Sequence, residues 1–187
     1  YDGLKVGYTT DGDHPGVVFT ADMFDQDALD VIKKYNVPVN VGSVDMVQQL
    51  ADAGIKVDIT LRINPGFGHG HSAKVNTGGD VSKHGIWHTD IEECVALGKK
   101  LGLNIHGLHM HIGSGSDFDH LSQVSNAMIE AAKRFGSGLR VISAGGGLPI
   151  PYQKENLKRI DVDAYYKLWD SARNTIQDVV GNDVTLE

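Results

Sequence analysis

Two short runs in this 187-residue chain combine residue types that bind and orient reactive groups: His109-Met110-His111-Ile112-Gly113-Ser114-Gly115 and, further on, Ala144-Gly145-Gly146-Gly147. The period of two in a strand puts His109 and His111 on one face and Leu108, Met110 and Ile112 on the other. Gly113-Ser114-Gly115 then lets the backbone turn at low steric cost and approach a ligand closely, with a hydroxyl at its centre. Gly145, Gly146 and Gly147 can aim successive backbone N–H groups at an anion as a nest. Together the two runs read as an anion cradle beside a pair of imidazoles. A metal hydrolase using His109 and His111 on one ion is the rival reading. It lacks ligands on later strands, because the only histidine after His111 is His120, near a helix start, and the strand leading to Ala144 ends in glycines.

The segment Val57 to Asn64 alternates strictly, with Ile59, Leu61 and Ile63 on one face and Asp58, Thr60, Arg62 and Asn64 on the other. In a sheet covered by helices, such a polar face lines a site or a filled barrel interior, and a buried arginine there is costly unless paired. Arg62 therefore calls for an anion nearby. From Pro65 to Ile86 runs a polar stretch rich in Gly, His and Lys without periodicity. Loops longer than about 12 to 15 residues are usually functional or disordered. His69, His71, Lys74, Lys83 and His84 on this loop, beside Arg62, read as a flap over an anionic ligand.

The elements that must hold these groups alternate strand and helix. Gly16 to Thr20 reads as a short buried strand, and the spacing of Ala28, Leu29, Ile32 and Tyr35 predicts a helix after Asp25. Val37 to Val41 repeats the strand, and Val44, Val47 and Ala51 mark a helix that Gly54 closes. Thr89-x-x-Glu92 has the form of a capping box, with Ile91, Cys94, Val95, Gly98 and Leu101 as the helix face behind it. Cys94 on that stripe is a core residue, not a nucleophile. A helix from Asp119 to Phe135 follows the histidine strand, and a long amphipathic helix carrying Tyr165, Leu168, Trp169, Ala172, Ile176 and Val179 ends at Gly181. Val184 to Glu187 begins another strand. Polar signals at the C-terminal ends of successive strands belong to a parallel α/β fold, either a barrel or an open doubly wound sheet.

A hydrophobic content of 41% supports one sizeable core and a single domain over residues 1–187. With 17 basic and 24 acidic residues the net charge is −7, and no basic block suits a nucleic-acid backbone. No apolar run approaches the ~20 residues of a membrane helix, so neither nucleic acid nor membrane is an expected partner. The single cysteine rules out an internal disulfide and fits a reducing, cytoplasmic compartment. Tyr1 at the start and a strand broken off at Glu187 point to an internal fragment of a longer protein.

The motifs also carry a resemblance. Leu61-Arg62-Ile63-Asn64-Pro65-Gly66, Ser82-Lys83-His84-Gly85-Ile86, His109-x-His111-Ile112-Gly113-Ser114 and Gly145-Gly146-Gly147, in this order, resemble the alanine-racemase-like family of pyridoxal-phosphate barrels, which includes ornithine and arginine decarboxylases. Gly68-His69-Gly70-His71-Ser72, Asn76-Thr77-Gly78-Gly79 and the Trp87 that follows Ile86 resemble its bacterial diaminopimelate branch. The resemblance implies an incomplete parallel (β/α)8 barrel with about six of the eight strands present, the first two strands and a C-terminal β domain lying outside the chain. It implies pyridoxal 5′-phosphate as cofactor, decarboxylation of meso-2,6-diaminopimelate to L-lysine as the activity, a small amino acid as substrate, and a homodimer at full length. Another basic amino acid, ornithine or arginine, is the alternative substrate within the family. It implies that His111 stacks on the cofactor ring, that Ser114 and Gly145 to Gly147 hold the phosphate, that Arg62 lies beneath the cofactor, and that His71 and Lys83 close over the site. The cofactor-binding lysine of this family lies on the first strand, so no lysine here takes that role. Glu187 is expected to fall two residues short of the carboxylate that meets the ring nitrogen, and the fragment alone is expected to be inactive.

Overall fold

The computed structural model describes residues 16–68, 78–79, 82–111, 113, 118–146 and 161–187. Seven strands appear among them: β1 (Phe19–Thr20), β2 (Val39–Val41), β3 (Asp58–Asn64), β4 (Ile86–Trp87), β5 (Asn104–His109), β6 (Val141–Ser143) and β7 (Thr185–Leu186). Five helices alternate with them: α1 (Gln26–Tyr35), α2 (Val44–Asp52), α3 (Ile91–Leu101), α4 (Phe118–Phe135) and α5 (Val162–Val180). Every strand pairing is parallel, and the main path runs β1-β2-β3-β5-β6-β7, with β4 attached to the end of β3. Strands in sequential order leave no topological switch point, which separates an arc of a barrel from a doubly wound sheet.

The apolar face of the sheet carries Val39, Val41, Ile59, Leu61, Leu108 and Ile142, all buried in one core with the helices. Helix α2 packs on α3, α3 on α4 and α4 on α5, so neighbours in sequence are neighbours in space. Gly98 is where α3 presses onto β5: a Cβ there would lie 2.3 Å from the Ile105 side chain. Cys94 sits in the same core, and burial pushes its thiol pKa up to about 11.

The opposite face is polar and arranged in rows by the register. Thr20, Asn40, Thr60, Gly107, Val141 and Thr185 lie side by side, and Arg62, His109 and Ser143 form the next row toward the strand C-termini. The Asn40 amide donates to Thr20 Oγ1 at 2.8 Å. A register shift between Ile59 and Thr60 brings Gly107 opposite Thr60, where a Cβ would lie 2.4 Å from the threonine hydroxyl. Only glycine allows that approach.

Several sequence expectations need correcting. The strand expected over Gly16 to Thr20 is ordered as strand only at Phe19–Thr20 and is not buried, Val18 being 37% exposed, because β1 is an edge among the described residues. The capping box at Thr89 does not form. Asp90 is the N-cap of α3, with no side-chain cap bond, and Thr89 Oγ1 donates to Asp90 Oδ1 at 2.8 Å instead. On α5 it is Val180, not Val179, that faces the core. Strand β4 was hidden in the polar loop because two residues carry no periodicity.

Candidate active site

The strand C-termini of β1, β3, β5 and β6 converge on one cationic mouth. Arg62 projects from the polar face of β3 with only 11% of its side chain exposed, and its Nη1 lies 3.5 Å from Asp22 Oδ1. Asp22, just past β1, also meets His84 Nδ1 at 2.7 Å and Lys83 Nζ at 3.4 Å. Its carboxyl is held below the usual carboxylate range: partial burial works against this, but the bonds and charges of His84 and Lys83 outweigh it. Burial pulls the Arg62 pKa down against the opposing pull of Asp22.

His109, at the end of β5, is 9% exposed, and its Nδ1 shares a 2.9 Å hydrogen bond with Ser143 Oγ on β6. Burial first, then the charges of Arg62 and His111, push its pKa down to about 4. His111, two residues on, is half-buried, and burial together with the field of Arg62 holds it below the ordinary imidazole value. Its Nδ1 accepts from the Gly146 N–H at 3.4 Å, which places the proton of the neutral ring on Nε2.

The glycine run fits this histidine for a steric reason. Gly145 has φ +67°, and a Cβ there would stand 2.5 Å from the Met110 carbonyl oxygen and 3.1 Å from His111 Cβ. Among the described residues, none would come within 4 Å of a Cβ at Gly146. The tips of β5 and β6 thus touch through Gly145 while the next backbone unit stands clear beside an imidazole and near a guanidinium. Such a donor set suits a planar group bearing a phosphate. A metal ion at His109 and His111 would instead have Arg62 as an unfavourable neighbour, and among the described residues no cluster of three or more His, Cys, Asp or Glu side chains could hold a metal.

The structure therefore brings together Arg62, Lys83, His111, Gly145 and Gly146 from the sequence-predicted set. Ser114, Gly147 and His71 lie outside the described residues, as do His69, Lys74 and half of the expected flap. Lys83 is at the rim, with 76% of its side chain exposed. Sequence reasoning missed three residues. Asp22 was passed over although it is a polar residue at a strand's C-terminal end. Ser143 was hidden in an apolar run. Asn64 anchors the long loop: its Oδ1 accepts from the Gly66 N–H at 3.0 Å and the Gly79 N–H at 2.9 Å, and its Nδ2 donates to the Gly79 carbonyl at 3.1 Å. The Asn-Pro-Gly sequence was the available signal for that turn.

Comparison with known proteins identifies the architecture. The family model described as pyridoxal-dependent decarboxylase, pyridoxal binding domain, matches residues 4–187. The chain belongs to this family of pyridoxal-dependent decarboxylases. Among curated relatives, the diaminopimelate decarboxylase of Streptomyces coelicolor is 47% identical over 184 residues, covering 98% of this chain and 42% of that protein. A crystal structure of diaminopimelate decarboxylase superposes with a TM-score of 0.88 at 48% identity, covering 98% of this chain and 44% of the other. The Helicobacter pylori diaminopimelate decarboxylase complexed with L-lysine superposes at 0.74 with 26% identity, covering 90% of this chain and 43% of the other. The chain accordingly spans under half the length of the curated relatives it matches. The barrel arc expected by resemblance is the fold of these neighbours. No helix among the described residues is long and apolar enough to cross a membrane.

Proposed function

We propose that the complete protein is a diaminopimelate decarboxylase, converting meso-2,6-diaminopimelate to L-lysine and CO2. The observation that carries this reading is 47% identity to a diaminopimelate decarboxylase across 98% of the chain. The solved relative from Helicobacter pylori that holds L-lysine supports the same product class.

Bound pyridoxal 5′-phosphate supplies an electron sink for the pair left on the α-carbon when CO2 departs, and a proton then takes the place of the carboxylate. The protein's own contribution is orientation and charge. The backbone at Gly145 and Gly146, with Gly147 and Ser114 beyond the described residues, holds the phosphate. His111, neutral with Nδ1 engaged by Gly146 and its proton on Nε2, would hold the cofactor ring by stacking. Arg62, fixed by Asp22, would set a positive charge beside the bound cofactor. Lys83 at the rim offers an ammonium to an arriving carboxylate; for His71, outside the described residues, the family resemblance alone implies a closing role. His109 is a packing residue, its Nδ1 engaged by Ser143. A homodimer, implied by the family resemblance, and a cytoplasmic compartment, read from the single cysteine, are part of the same reading.

The test is incubation of the purified complete protein with cofactor and meso-diaminopimelate, with L-lysine followed by mass spectrometry. Stoichiometric lysine and CO2 support the assignment. Cofactor binding without lysine formation contradicts it.

A further inference from the structure

We infer that Asp22 is a positioning residue for this site, tying Arg62 on the sheet to Lys83 and His84 on the β3–β4 connection and so fixing the cationic mouth beside His111. The inference rests on the proposed function, because it takes the Arg62–His111 mouth as the place of reaction.

Among the described residues, Asp22 has no other structural task that accounts for it. The helix that follows is capped by Asp25, whose Oδ1 accepts from the Ala28 N–H at 2.8 Å. Asp22 instead turns both oxygens toward the mouth: Oδ1 to Arg62 and His84, Oδ2 to Lys83. Strand β2 separates β1 from β3, so this carboxylate reaches across the top of a strand to make those contacts. The connection comes down over the same place. A Cβ on Gly42, at the tip of β2, would lie 3.8 Å from the Gly85 nitrogen, and a Cβ on Gly85 would lie 2.8 Å from the Asn64 nitrogen. Gly85, at φ +86°, is thereby pressed onto the end of β3 directly after the two residues that Asp22 holds.

The two sides of the cluster differ in their need for it. Asp22 is 45% exposed and Lys83 more so, and pairs of that kind contribute little to stability. Arg62 is largely withdrawn from water, and a desolvated guanidinium takes its position from the partner that compensates it. Its placement matters because Arg62 is the group whose charge reaches both His109 and His111. Removal of the Asp22 charge therefore disturbs the mouth far more than it disturbs the fold.

The experiment compares the complete holoenzyme with Asp22→Asn, Asp22→Glu and Asp25→Asn. Five quantities are read: kcat and KM for meso-diaminopimelate, cofactor content, Tm, and amide hydrogen exchange across 82–87 without substrate. Asp22→Asn is expected to keep its cofactor and a Tm within about 4 °C. It should lose roughly ten- to a hundredfold in kcat, as small misplacements at a reacting centre do, and exchange faster at His84 and Gly85. Asp22→Glu should recover part of the loss, and Asp25→Asn, which removes the same charge from the same turn, should match wild type. Unchanged kcat and unchanged exchange in Asp22→Asn would overturn the inference, as would activity lost only in proportion to Tm, or an equal loss in Asp25→Asn. The exchange comparison needs no turnover, so a wild-type enzyme inactive on diaminopimelate would refute the proposed function separately.

Discussion

His109 ends β5 and His111 lies two residues beyond it, and their surroundings give them different work. His111 stands at the rim with Gly146 on its Nδ1, whereas His109 is buried against Ser143 and Arg62. In the complete enzyme His111→Ala should retain cofactor, which has several other tethers, while kcat falls about a hundredfold through misorientation. Parallel loss of cofactor and activity, read from absorbance and initial rates, would contradict that role. For His109 the prediction concerns pH. Below about 6.5 the unfolded chain takes up a proton on this imidazole that the folded chain refuses until about pH 4. Stability should thus be full above pH 6.5 and decline by on the order of 3 kcal/mol as pH falls to about 4. Denaturant titrations of wild type and His109→Gln over that window should show a shallower decline in the variant, and parallel curves would count against it. The His-x-His pattern marked the pair in the sequence, and the structure keeps the two rings within reach of each other's charge although the strand ends at His109. What distinguishes the two rings comes from β3 and β6, whose register no local pattern displays.

The elements meet the site through glycines and one asparagine. Gly145→Ala forces a side chain into a left-handed backbone and against the Met110 carbonyl oxygen, so it should lower stability by more than about 1 kcal/mol and deplete cofactor. Gly146→Ala meets no described atom within 4 Å and should leave Tm unchanged while weakening cofactor binding. Thermal melts and cofactor titrations of the pair separate the two effects, and equal Tm losses would show the cradle geometry to be misassigned. Asn64→Ala leaves the Gly66 and Gly79 N–H groups without their partner, which should cost about 2 to 3 kcal/mol and speed amide exchange at both glycines. Unaltered exchange there would remove Asn64 as the loop's anchor. The glycine runs were legible as turns, and the helices as amphipathic stripes. The anchoring of the long loop was not, because Asn64 pins Gly79 from fifteen positions away. Strand β4 and the failed capping box escaped for the same reason: both are settled by contacts with β3 and by the local turn rather than by sequence spacing.

At the scale of the molecule, alternation of strand and helix established a parallel α/β fold, but it could not choose between a barrel and an open sheet. The sequential strand order makes that choice. It also leaves β1 and β7 each with one unpaired side among the described residues, and exposed edges of this kind pair with other chains. Expressed by itself, the 187-residue chain should self-associate with rising concentration in analytical ultracentrifugation, and a concentration-independent monomer would contradict this. The central claim is that the mouth at Arg62, His111 and Gly145 serves diaminopimelate decarboxylation in the complete protein. Initial rates of CO2 release from meso-diaminopimelate, ornithine and arginine on one preparation, with His111→Ala alongside, test it most directly. The account predicts a clear preference for meso-diaminopimelate that collapses in the variant. A preference for ornithine or arginine, or full activity in His111→Ala, would contradict it.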